Sequence, residues 1–152
     1  MNLMLSRSDP DEADWLDRIT LDQLHELAAC LGESGDTVEV AVVGDEFIRK
    51  INNSYRHIDR ATNVISFSYK EEGPPCGENI AGEIYVSYET VMKEAKEQAV
   101  DPKHLFLRLA THGLLHVLGY DHEDEGQYQL MESEEKRILR TVLNPDQVEA
   151  LF

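Results

Sequence analysis

At 152 residues, 41% of them hydrophobic and 29% charged, the chain can bury one sizeable core, and no apolar run approaches the length that a bilayer span requires. The net charge of −16, from 14 Lys and Arg against 30 Asp and Glu, argues against generic nucleic-acid binding, because an acidic field repels a polyanion. The opening Met1-Asn2-Leu3-Met4-Leu5-Ser6-Arg7 lacks a basic segment followed by a long apolar stretch, so no secretory leader or membrane anchor is expected and the protein reads as cytoplasmic.

Taken in order, Asn2 to Leu5 suits a short strand, and the acidic Ser8 to Asp17, with Pro10, reads as a connection. Thr20 and Gln23 stand at capping-box spacing before an apolar stripe of Leu24, Leu27, Ala28 and Leu31, a helix that Gly32 stops. Gly35-Asp36 makes a turn into the β-branched run Val38 to Val43, a strand. Asp45 is placed to cap a helix carrying Phe47, Ile48, Ile51 and Tyr55. Val64 to Tyr69 alternates as a strand does, Glu71 to Asn79 with Gly73-Pro74-Pro75 and Gly77 reads as a surface loop, and Ile80 to Ser87 is the next strand. A Lys- and Glu-rich helix follows from about Tyr88 to Ala99. Asp101-Pro102 opens the next one, as an N-cap with proline at the first helical position. A final helix follows Glu123-Asp124-Glu125, with Tyr128, Met131, Ile138 and Val142 inward and Glu135 on the same stripe, where a carboxylate needs a partner.

Four strands and about five helices, in this order, predict a single domain over residues 1–152: a small mixed sheet covered by helices, of α+β type with the layering of α/β folds. Cys30 and Cys76 are far apart and form no CxxC pair, which suits a small core cysteine and a loop cysteine.

The chemistry concentrates at His112-Gly113-Leu114-Leu115-His116-Val117-Leu118-Gly119-Tyr120-Asp121-His122. Residues four apart share a helix face, so His112 and His116 present their imidazoles together at the end of the central helix. Gly119 can take the positive φ that turns the chain back and brings His122 in as a third ligand. Three neutral imidazoles suit zinc, one ion per chain, and leave a coordination position open for water. The spacing matches the HExxHxxGxxH metalloproteases, whose Glu beside the first His is the general base, but Gly113 stands there and has no side chain to take a proton.

Charge is unevenly spread. From Phe47 to Lys70 the residues Arg49, Lys50, Arg56, Arg60 and Lys70 face Asp59 alone, a net +4 in a chain otherwise at −20. Either a phosphate-facing surface or chance clumping on a solvated face accounts for this.

The motif with its Gly119-Tyr120-Asp121-His122 ending resembles the signature of the YbeY family, bacterial endoribonucleases and rRNA maturation factors, with Val117 where leucine is usual. The resemblance extends to Asn53-x-Tyr55-Arg56, Asp59, Thr62-Asn63-Val64-Ile65-Ser66-Phe67, Ala81-Gly82-Glu83-Ile84 with Glu for the commoner Asp, and the Met131 to Glu135 spacing. It implies zinc on His112, His116 and His122, cleavage of single-stranded RNA, roles in 16S rRNA 3′-end maturation and ribosome quality control, and a functional arginine that falls on Arg56. The ribosome or a ribosomal protein would then be a partner. A guanidinium offers a phosphate a planar fork of donors at fixed charge, so Arg56 suits the stabilisation of a phosphate in the transition state. Asp121 orients an imidazole, touches the metal water or makes a turn; His57 assists proton transfer or is a surface histidine; Glu135 is a candidate support for a ligand. The rival readings are a zinc hydrolase of another substrate, such as peptide, and a ribosome-assembly protein with a structural zinc. Oligomeric state carries no sequence signal.

Overall fold

Val38, Val40 and Val42 lie on one side of β2 (Thr37–Val43), because successive side chains of a strand point to opposite faces. They are at most 1% exposed, as are Ile84 and Val86 of β4 (Gly82–Ser87) beside them. The computed structural model describes residues 1–7, 13–32, 35–69 and 80–152. Its sheet runs β1-β2-β4-β3, with β1 (Asn2–Arg7) parallel to β2, β2 parallel to β4, and β3 (Val64–Ser68) antiparallel to β4 on the outer edge.

Among the described residues six helices accompany the four strands, an α+β architecture. They are α1 (Arg18–Ala29), α2 (Asp45–Arg56), α3 (Tyr88–Gln98), α4 (Pro102–Val117), α5 (Glu125–Leu139) and α6 (Pro145–Ala150). The large core joins the valine face of the sheet to α1, α4 and α5. A smaller core on the other face sets Ile48 and Ile51 of α2 against Val43, Ile65, Phe67 and Tyr85. Helix α4 is the hub, packed against β3, β4, α1, α3 and α5. It sits directly on β4 at two glycines. A Cβ on Gly82 would come within 2.5 Å of the Phe67 carbonyl and 2.7 Å of Val117, and one on Gly113 within 2.9 Å of Ile84. Gly82→Ala therefore overpacks against backbone that cannot yield. It is expected to cost roughly 3 kcal/mol, the upper end of usual overpacking penalties, read as a lower urea midpoint at unchanged m-value.

Several expectations are corrected by the local chemistry. The N-cap of α1 is Asp17, whose carboxylate accepts the Thr20 N–H at 2.9 Å and the Thr20 hydroxyl at 2.7 Å, so the helix starts before Thr20. Those two Thr20 bonds, and then Lys103, hold the Asp17 carboxyl down at about 2. Asp45 is the first residue inside α2, behind Gly44, and binds the Ser87 and Thr90 hydroxyls instead of capping. Tyr128 is 51% exposed, not inward, and Cys30 is exposed, not core. Helix α6 was not expected; Asn144 and Gln147 close a capping box there, with Pro145 at its start. The Glu71–Asn79 loop, Lys70, Cys76 and most of the Ser8–Asp17 connection lie outside the described residues. No helix among the described residues is long and apolar enough to cross a membrane.

Candidate metal centre

The ligand helix begins where its sequence says: Asp101 accepts the Lys103 N–H at 2.9 Å and Pro102 occupies the first turn. Leu105 and Leu109 are buried, and the same stripe continues to His112 and His116, both half-buried, as the helix leaves the core. The helix stops by a Schellman arrangement. Gly119 takes φ of 101°, its N–H reaches the His116 carbonyl at 3.0 Å, and the Tyr120 N–H reaches the Leu115 carbonyl at 3.0 Å. The reversal carries His122 back onto the other two rings. Centroids of His112 and His116 are 4.6 Å apart, His116 and His122 5.1 Å, and His112 and His122 5.8 Å.

One nitrogen from each ring falls within 4.8 Å of the others, a group that could hold a metal ion. The Nε2 atoms of His112 and His116 converge to 3.1 Å. Behind His112, the Glu135 carboxylate lies 2.6 Å from Nδ1 and is 3% exposed. Such a carboxylate favours the tautomer with Nδ1–H and leaves the Nε2 lone pair facing the cluster. It also gives the inward carboxylate its partner. Burial, then the neighbouring His112 and His122, push the His116 imidazole below the usual histidine range, so it stays neutral further into acid and keeps a lone pair for a cation. The donor set thus fits a borderline-soft divalent ion.

Around this centre the structure brings some residues together and not others. Asp121 turns its carboxylate onto the His122 backbone N–H at 2.7 Å, locally fixing the ligand loop. Arg108, one turn before His112, was not foreseen, though its place four residues earlier on the same face was the available signal. Its Nε is 3.8 Å from Glu135, its guanidinium stacks 3.9 Å over Phe152, and it donates to the Leu151 carbonyl. A groove of about 230 Å³ runs from His112 past Arg108 to Asn63, Glu94 and Gln98, where the Asn63 amide donates to Glu94 at 3.0 Å. A second, of about 300 Å³, borders Gly119, Tyr120 and Asp121.

Arg56 ends α2, on the sheet face opposite α4, with edge strand β3 between the two faces. Next to it Tyr55 packs edge-on to Phe67 at 5.0 Å. His57 follows in the left-handed region, φ 58°, as the helix cap, and is exposed. The basic window is partly neutralised, since Arg49 pairs with Asp59 at 2.8 Å and Lys50 loosely with Glu46 at 3.9 Å. Among the described residues, Arg56 and Arg60 have no acidic partner. Asn52 holds their loop by donating to the Arg60 carbonyl at 2.9 Å. Glu83 lies on the α2 side of the sheet, where it accepts the hydroxyls of Tyr69 at 2.9 Å and Tyr85 at 3.2 Å, away from the imidazoles.

A mixed four-stranded sheet, with three imidazoles converging at the end of the helix it carries, defines an α+β protein with a helix-terminal histidine cluster that could hold a metal ion. The family model described as Endoribonuclease YbeY matches residues 9–143, and the chain belongs to that family. It is 40% identical over 114 residues to the Endoribonuclease YbeY of Neorickettsia sennetsu, covering 75% of this chain and 78% of that one. It is 35% identical over 141 residues to that of a Bradyrhizobium species, covering 90% and 82%. Among solved structures, the solution structure of TM1509 from Thermotoga maritima aligns with a TM-score of 0.60 at 26% identity, over 90% of this chain and 87% of that one.

Proposed function

We propose that the protein is a zinc-dependent, single-strand-specific endoribonuclease of the cytoplasm that acts on rRNA, in 16S 3′-end maturation and ribosome quality control. Family membership supports the RNA substrate, and the observation that carries the chemistry is the convergence of three imidazoles with Glu135 behind His112. His112, His116 and His122 would hold the ion. Zinc bound there supplies Lewis acidity toward a phosphoryl oxygen and makes a water molecule more acidic. The chain's own groups do the rest. Glu135 keeps the proton on Nδ1 of His112, so that Nε2 stays a ligand. Arg56, without a carboxylate partner among the described residues, offers two parallel donors to the non-bridging oxygens of the scissile phosphate and stabilises the charge that grows on them. His57, the next residue, is the candidate for moving a proton at the leaving oxygen, and Asp121 positions the His122 loop. Arg56 and Arg60 give a local positive face to a chain at −16, and a ribosomal partner would bring the RNA to it.

A metallopeptidase is disfavoured by packing as well as by chemistry. Position 113 faces Ile84, where a Cβ alone would already come within 2.9 Å, with no room for a glutamate base. A purely structural zinc would need a closed set of ligands, usually four, whereas the cluster among the described residues has three. Zinc-loaded protein is expected to cut a single-stranded RNA while sparing its duplex form and casein, read on denaturing gels. Casein cleavage without RNA cleavage would overturn this reading.

A further inference from the structure

We propose that Tyr128 and Phe152 form a binding site for one unpaired nucleobase beside the metal centre, the contact by which the cleft selects single-stranded RNA. The inference rests on the ribonuclease reading and adds a substrate subsite to it. Tyr128 shares a helical stripe with Met131 and Glu135, both buried, yet its own ring is 51% exposed because the stripe runs out of the core where the cleft opens. Tyr128 and Phe152 border the same cavity as His112 and His122. At about 50 Å³ that cavity admits the edge of a flat ring, and the rest of a base would lie against the exposed face of Tyr128.

Two features make this a receptive surface. Among the described residues the Tyr128 hydroxyl has no hydrogen-bond partner and its ring no aromatic neighbour, so its exposed part is open to a ligand. Phe152 is the fixed wall, pinned by the Arg108 guanidinium at 3.9 Å with the Lys136 ammonium at 5.2 Å. The acidic groups of the cavity are already matched. Glu135 faces His112 at 2.6 Å and Arg108 at 3.8 Å, and Glu132 faces Lys136 at 3.9 Å. An incoming polyanion therefore meets no unmatched carboxylate there.

Stacking on an aromatic side chain requires a base whose faces are free, and every base has them once it leaves a helix. A duplex offers its bases only already stacked, so a ring at the cleft mouth discriminates by strandedness and tolerates any sequence. Its place beside His112 and His122 puts this ring within reach of the nucleotide next to a phosphate held at the cluster.

The test uses zinc-loaded full-length protein and two labelled probes, single-stranded hexa-adenylate RNA and a hexamer with the same phosphates but no bases, with binding read by anisotropy before turnover. Tyr128→Ala is expected to weaken hexa-adenylate binding about ten-fold, the scale of one base–aromatic stack. It is expected to leave binding of the abasic hexamer, and zinc content, unchanged. Tyr128→Phe, which keeps the ring, is expected to bind both probes as the wild type does. Equal weakening of both probes in Tyr128→Ala, or no weakening of either, overturns the subsite. Wild-type protein that cleaves RNA while Tyr128→Ala binds hexa-adenylate normally removes the subsite alone. Wild-type protein that neither binds nor cleaves RNA overturns the ribonuclease reading with it.

Discussion

Arg56→Ala is expected to slow RNA cleavage about 10²–10³-fold, the usual loss when one preorganised donor to transition-state charge is removed, while zinc content stays at the wild-type level. The two halves of this result separate because Arg56 ends α2 and takes no part in the imidazole cluster. The substitution costs little stability, since the side chain is exposed and has no ion-pair partner among the described residues. Lysine in its place keeps the charge but loses the planar fork, so Arg56→Lys is expected to recover part of the activity only. The decisive measurement is single-turnover cleavage alongside elemental analysis of the same preparations. Cleavage at the wild-type rate by Arg56→Ala would remove this arginine from the mechanism.

His116→Ala is expected to do the reverse, stripping the metal and taking cleavage with it. His116 is the middle member of the cluster, 3.1 Å from His112 through their Nε2 atoms and 5.1 Å from His122 between ring centroids. Its imidazole is held neutral by burial and by its two neighbours, which is the state a metal requires and an unbound histidine near neutrality only partly supplies. Two remaining ligands leave a much weaker site. Elemental analysis and competition with a zinc chelator read the loss, and His25→Ala, an exposed position on α1, is the control. Full zinc retention at native affinity in His116→Ala would sink the three-histidine site.

How much of this was legible in the chain depends on range. The β-branched run at Val38 to Val43, the alternation at Val64 to Tyr69 and the Asp101-Pro102 start are local signals, and the strands and α4 follow them closely. The cap of α1 was misplaced because Asp17 and Thr20 both carry capping chemistry, and the structure uses both, the carboxylate as acceptor and the hydroxyl as donor. Helix α6 had a usable signal in Asn144-Pro145 and Gln147, but its six residues are too short for an apolar period. At the centre, the three histidines were legible because helix spacing and a glycine stop are short-range rules. Glu135 was legible as an inward carboxylate lacking a named partner; its pairing with His112 crosses two helices. Tyr128 was misread because the stripe it shares with Met131 reports which side of the helix faces the protein, not where the protein ends.

The seating of α4 on β4 at Gly82 and Gly113 has a consequence for traffic through the site. His112 and His116 ride on a helix clamped to the sheet, whereas His122 lies past the helix stop, in a run from Asp121 to Leu130 where every residue is exposed. An ion held there would thus have two ligands on the clamped helix and one on the exposed segment beyond its stop. It is therefore expected to exchange on the His122 side, before the fold itself gives way.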